Sequence, residues 1–84
     1  MSGSNEDFDD LYRRHHLVVL RYVRRRLATA DVEDVVGEVF TIAWRRRNDV
    51  PAGNAQLLWL YGTARRVLAN EHRRARRLKP RPAA

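Results

Sequence analysis

No cysteine occurs in the 84 residues. That excludes a disulfide scaffold and a thiolate metal site, and it fits a reducing cytoplasm. There are only four glycines and three prolines, and two of the prolines, Pro80 and Pro82, fall in the last five positions. Helices can therefore run long before anything interrupts them. No apolar run approaches the ~20 residues that span a bilayer, so no membrane segment is expected. The opening Met1-Ser2-Gly3-Ser4-Asn5-Glu6-Asp7 is polar and acidic, unlike a signal peptide.

The means for catalysis are also scarce. Ser2 and Ser4 are the only serines, and both precede the first expected helix. His15 and His16 are adjacent, so on a helix they point about 100° apart and cannot easily share a metal, which favours an i, i+4 pair. His72 sits among arginines, where a cation is disfavoured. Asp34 and Glu38 share a helix face, but nothing else converges on them. No glycine-rich loop precedes a helix in the pattern that cradles phosphates. The expectation is a protein without enzymatic activity, metal or cofactor.

What is present is positive charge, unevenly spread. Residues 1–53 hold nine Arg and nine Asp or Glu. Residues 54–84 hold eight Lys or Arg and one acid, Glu71, and so carry the whole net charge of +7. A field of this kind attracts a polyanion, and arginine suits bidentate phosphate contacts better than lysine does. The alternative is a solvated basic tail.

Eighty-four residues are enough for one small domain. Apolar residues recur at helical spacing, and the spacing predicts three helices. The first covers Glu6 to Leu27, with Ser4 and Asp7 resembling a capping box. Phe8, Leu11, Tyr12, Val19, Tyr22 and Val23 form its stripe. Asp7, Asp9 and Asp10 at its start and Arg24 to Arg26 at its end suit the helix dipole. The second covers Ala30 to Arg47, with Thr29 as N-cap and a stripe of Val32, Val35, Val36, Val39, Phe40 and Ala43. Its β-branched residues are weak helix formers, so burial must hold it. Asp34, Glu38, Thr41 and Arg45 make a polar stripe on its other side, either solvated or facing a partner.

Asn48 to Gly53 is the one clear loop, with room for a short extra turn. Asn54 is expected to cap the third helix, Ala55 to Leu78, whose buried stripe is Leu57, Leu60, Tyr61, Ala64, Val67, Leu68 and Ala75. Its other surface carries Gly62, Arg65, Arg66, Ala69, Asn70, Arg73, Arg76 and Arg77. Pro80 should end it. The chain thus divides into a flexible tail at 1–5, a helical domain at 6–78 and a linker or cut end at 79–84. Arginines beside Trp59 and Tyr61 suggest a stacking platform next to a phosphate track, as single strands require. Tyr61 lies in the apolar stripe and is better explained as core. Trp59 fits either role, as does Trp44.

Four segments together resemble the second conserved region of extracytoplasmic-function sigma factors. They are Phe8-Asp9-Asp10-Leu11-Tyr12, then Asp31 to Phe40 with Ala43-Trp44, then Trp59-Leu60-Tyr61-Gly62-Thr63-Ala64-Arg65, then Arg73-Arg74-Ala75-Arg76-Arg77. The likeness covers about residues 8–77. It implies a compact all-α domain of three to four helices that acts in transcription initiation. The resemblance implies that Asp34, Glu38, Thr41 and Arg45 dock on the clamp helices of the largest subunit of core RNA polymerase. It also implies that Asn48 to Asn54, with Trp59 and Arg65 nearby, capture a flipped base of the minus-ten element on the non-template strand. Arg66, Asn70, Arg73, Arg74, Arg76 and Arg77 would complete the DNA-binding set, the later arginines on phosphates. An anti-sigma factor covering these surfaces is a further partner that the resemblance allows.

Two positions depart from the family pattern. Gly37 stands where Gln is frequent, and Arg66 stands where Asn is frequent and is linked to promoter reading. The helix-turn-helix that reads the minus-thirty-five element in the family does not follow, which points to an isolated domain or a shortened chain. Two other functions compete with this one. A basic helical regulator reading duplex DNA would favour a three- to four-residue turn between helices, shorter than the Asn48–Asn54 connection. A protein-interaction domain for an acidic partner would show no salt-dependent DNA binding.

Overall fold

The computed structural model describes residues 4–27 and 31–78, with side chains over 8–27 and 31–77. Helix α1 spans Ser4–Arg26, α2 spans Val32–Arg45 and α3 spans Asn54–Leu78. The described residues form an all-α fold, and each helix packs on the other two.

The core joins one stripe from each helix. Val19 and Val23 of α1, Val39 and Ala43 of α2, and Leu60 and Ala64 of α3 are completely inaccessible to solvent. Leu11, Val35, Val36, Phe40, Val67 and Leu68 extend the same cluster, and Leu27 closes it just past α1. In α2 the buried positions 35, 36, 39, 40 and 43 follow the helical repeat. Burial of a valine contributes about 1.5 to 3 kcal/mol, more than the few tenths that its propensity costs. Tertiary packing is therefore what makes this sequence helical.

The helix limits differ from the sequence expectation by small amounts. α1 begins two residues earlier, at Ser4. α2 starts at Val32 with Asp31 as N-cap residue, whose side chain makes no capping hydrogen bond. The expected cap Thr29 and start Ala30 lie outside the described residues, as do the side chains of Ser4 and Asp7 and the segment 79–84 with Pro80. α2 stops at Arg45, two residues short. There the backbone turns over: Arg46 N–H donates to Ile42 O, Arg47 N–H to Trp44 O and Asp49 N–H to Arg46 O. The extra turn in the loop is this one.

Because α3 begins at Asn54, its N-cap position is taken by Gly53. It is the one described residue with positive φ, at 69°, and Gln56 N–H donates back to its carbonyl. Asn54 is already helical and exposed. A Cβ on Gly53 would meet nothing within 4 Å, so only the left-handed backbone resists a side chain. Gly53→Ala is expected to lower stability by about 1 kcal/mol. Urea denaturation would measure it, and an unchanged midpoint would show that the turn tolerates another conformation.

Two stripe expectations need correction. Tyr12 is 41% exposed and lies across the outside of Phe40, with ring centroids 4.9 Å apart. Ala75 is exposed, because the burial of α3 ends at Leu68. The final turns of α3 extend the helix past the core.

Candidate nucleic-acid interface

The connection between α2 and α3 forms one wall of a cleft of about 360 Å³. Its other walls are the first turns of α1 and the end of α2. Phe8, Asp10 and Arg14 contribute from α1, and Arg47 and Asn48 from the turn after α2. Gln56, in the first turn of α3, also lines it and ties the walls together. The Gln56 side-chain oxygen accepts from Arg14 Nη1 at 3.3 Å and from His15 Nε2 at 2.9 Å. Its amide nitrogen donates to the Pro51 carbonyl at 3.4 Å. One amide thus joins α1, the loop and α3.

Both tryptophans lie at this end of the molecule. Trp44 meets Phe8 edge to face at 5.3 Å, and the Arg47 guanidinium covers it at 4.0 Å from the ring centre. Arg47 also donates to the Trp44 carbonyl at 2.8 Å, so its position is fixed twice. Trp59 packs half-buried on the core, with Arg46 at 5.9 Å and Arg46 in turn 3.4 Å from Asp49. Tyr61 is half-buried against Tyr22, at 4.8 Å between centroids. Of the residues expected around the base, Asn48 lines the cleft, whereas Asn54, Trp59 and Arg65 do not.

On α3, Arg65, Arg66, Arg73, Arg76 and Arg77 are exposed and form no ion pair among the described residues. At about 100° per residue they fill one arc of the helix, roughly 120° wide. Arg73 donates to the Asn70 side-chain oxygen, which steers it. Arg74 is different. It points toward α2 and pairs with Glu71 at 3.2 Å. A groove of about 240 Å³ there is lined by Asp34, Glu38, Asn70, Glu71 and Arg74.

The outer face of α2 is continuous with that groove. Asp34, Glu38, Thr41 and Arg45 are all exposed and fall within about 60° of one another. Thr41 donates to the Gly37 carbonyl at 2.8 Å, so its hydroxyl is partly committed. A Cβ on Gly37 would meet nothing within 4 Å. The α2 face and the α3 arc therefore adjoin across Arg74 and Asn70 rather than lying on separate sides.

A family model described as sigma-70 region 2 matches residues 11–78, from the first core leucine to the end of α3. The chain belongs to the sigma-70 region 2 family. No curated protein and no solved structure matches it. Membership assigns the chain to sigma-factor-type transcription initiation, a non-catalytic role that involves core RNA polymerase and promoter DNA. Among the described residues, no helix is long and apolar enough to cross a membrane.

Sequence reasoning missed Arg14, Arg47 and Gln56. Arg14 and Gln56 are 42 positions apart, beyond the reach of any helical repeat. Arg47 could have been suspected from its place three residues after a tryptophan at a helix end, where it can fold back over the ring.

Proposed function

We propose that this sigma-70 region 2 chain docks on the clamp helices of the core polymerase through the outer face of α2 and holds melted promoter DNA with the loop and α3. Asp34, Glu38, Thr41 and Arg45 would make the docking contact. The cleft at Asn48 would receive an extruded base of the minus-ten element on the non-template strand. Asn54, Trp59 and Arg65 would lie near it, Arg66 and Asn70 would contact the strand along α3, and Arg73, Arg74, Arg76 and Arg77 would take the phosphates. The observation that carries this reading is the arc of five arginines on α3, exposed and in no ion pair among the described residues. A cationic surface left unneutralised by its own fold suits a polyanion.

The energetics support capture rather than active opening. Unstacking a base costs a few kcal/mol, and a pocket that accepts the extruded base offsets part of it. The phosphate contacts add affinity without sequence information. Arg66 has donors but no acceptor, so the base preference beside it differs from that of an Asn-bearing relative. The work would be done in the cytoplasm, with an anti-sigma factor as the competitor for both faces.

The test is co-purification with core polymerase, followed by binding to a forked promoter oligonucleotide. Asp34→Ala with Glu38→Ala is expected to reduce core association about tenfold in a pull-down, as two exposed charges of roughly 0.5 to 1 kcal/mol each allow. Unchanged association would move the docking face elsewhere. Absence of salt-dependent fork binding by the assembled complex would favour a protein adaptor.

A further inference from the structure

Arg13, Arg21, Arg24, Arg25 and Arg26 of α1 remain outside the interface described so far. Arg21, Arg25 and Arg26 line a groove of about 420 Å³ between α1 and α3, together with Tyr22 and Tyr61. No carboxylate lines it, and none of the three arginines forms an ion pair among the described residues.

The groove is partly preorganised. Tyr61 of α3 lies against Tyr22 of α1, tilted by 32°. The Arg26 guanidinium covers the Tyr22 ring at 3.8 Å from its centre and donates to the Tyr22 carbonyl at 3.2 Å. A guanidinium held by its face keeps its other N–H groups free, so less rotamer entropy is lost when an anion arrives. The Tyr22 ring is thus already engaged by both Tyr61 and Arg26. With three arginines and no carboxylate in its lining, the groove suits phosphate.

Its position ties it to α3. Arg14 and His15 meet Gln56, and Tyr22 meets Tyr61, so α1 and α3 run in the same sense. Following both helices onward carries Arg25 and Arg26 toward Arg65, which stands one turn beyond Tyr61. The basic arc of α3 thus has a neighbour on α1.

We propose that the α1–α3 groove, through Arg21, Arg25 and Arg26, binds phosphates of the promoter backbone beyond those that the α3 arginines take. This rests on the DNA-binding function proposed above and adds a second helix to the contact surface.

Arg21→Ala with Arg25→Ala tests it, because both side chains are exposed and the guanidinium over the Tyr22 ring, that of Arg26, is kept. The variant would be assembled with core polymerase and titrated with forked promoter DNA at several salt concentrations. Two lost phosphate contacts are expected to reduce the slope of log affinity against log salt by roughly 1.4 to 1.8, with core association unchanged. Arg21→Lys with Arg25→Lys should restore the slope. A variant that binds DNA with the wild-type slope overturns the groove while leaving the general function intact. Loss of core association with the slope retained also overturns it and assigns the groove to the polymerase. Wild-type chain that associates with core but does not bind the fork overturns both proposals.

Discussion

Leu60→Ala is expected to lower the stability of the domain by about 3 to 4 kcal/mol. Leu60 is completely buried and heads the fully inaccessible side chains by volume. It lies where α3 packs on the other two helices. Leucine-to-alanine changes at such sites cost about 2 to 5 kcal/mol, because the lost transfer energy adds to an incompletely collapsed cavity. Small domains have only about 5 to 15 kcal/mol in total. At roughly 4 to 8 °C per kcal/mol, the melting temperature should fall by about 12 to 32 °C. Circular dichroism at 222 nm would follow it. Leu58→Ala is the matched control: the same chemical change two residues away, at a side chain that is 70% exposed, should cost almost nothing. A small effect at Leu60 would mean that the three stripes do not share one core.

Replacing Arg73, Arg74, Arg76 and Arg77 together with alanine is expected to weaken binding of the polymerase complex to a forked promoter by roughly a hundred- to a thousandfold. Up to four charge-assisted contacts at about 1 kcal/mol each give that range. The salt slope should flatten by roughly 2 to 3. The loss should be the same for different promoter sequences, since phosphates carry no sequence information. The structure adds a distinction within the set. Arg74 pairs with Glu71 in the groove beside Asp34 and Glu38, while the other three form no ion pair among the described residues. Arg74→Ala alone should therefore account for less than its share. Equal effects from all four would show that the Glu71 pair breaks on binding.

The three helices and most of the core could be read from the sequence because amphipathic periodicity is a local signal that burial enforces. Val35, Val36, Val39, Phe40 and Ala43 illustrate it: they recur at helical spacing and all five are buried. Ala75 shows the limit. It continues the α3 stripe by spacing, yet it is exposed because that stripe has no partner past Leu68. Periodicity says which residues share a face, not where the facing helix ends. Capping was equally indistinct. Gly53 with its positive φ holds the start of α3, although Asn54 is the stronger cap by composition.

The candidate site was legible in kind but not in arrangement. Clustered arginines and a loop beside tryptophans indicated a nucleic-acid surface. That Gln56 would bind Arg14 and His15 depends on how α1 crosses α3, which no short window contains. The same holds for Tyr61, which meets Tyr22 across the helices.

Trp44 and Trp59 are the only tryptophans in the chain. Each has an arginine near its ring, at 4.0 Å for Trp44 and 5.9 Å for Trp59, and both stand by the loop between α2 and α3. The indole emission of this protein therefore originates almost wholly at one end of the molecule. Any event that draws Arg46 or Arg47 off its ring changes the local field at a fluorophore. The chain thus carries a built-in optical probe at the loop, which needs no added dye.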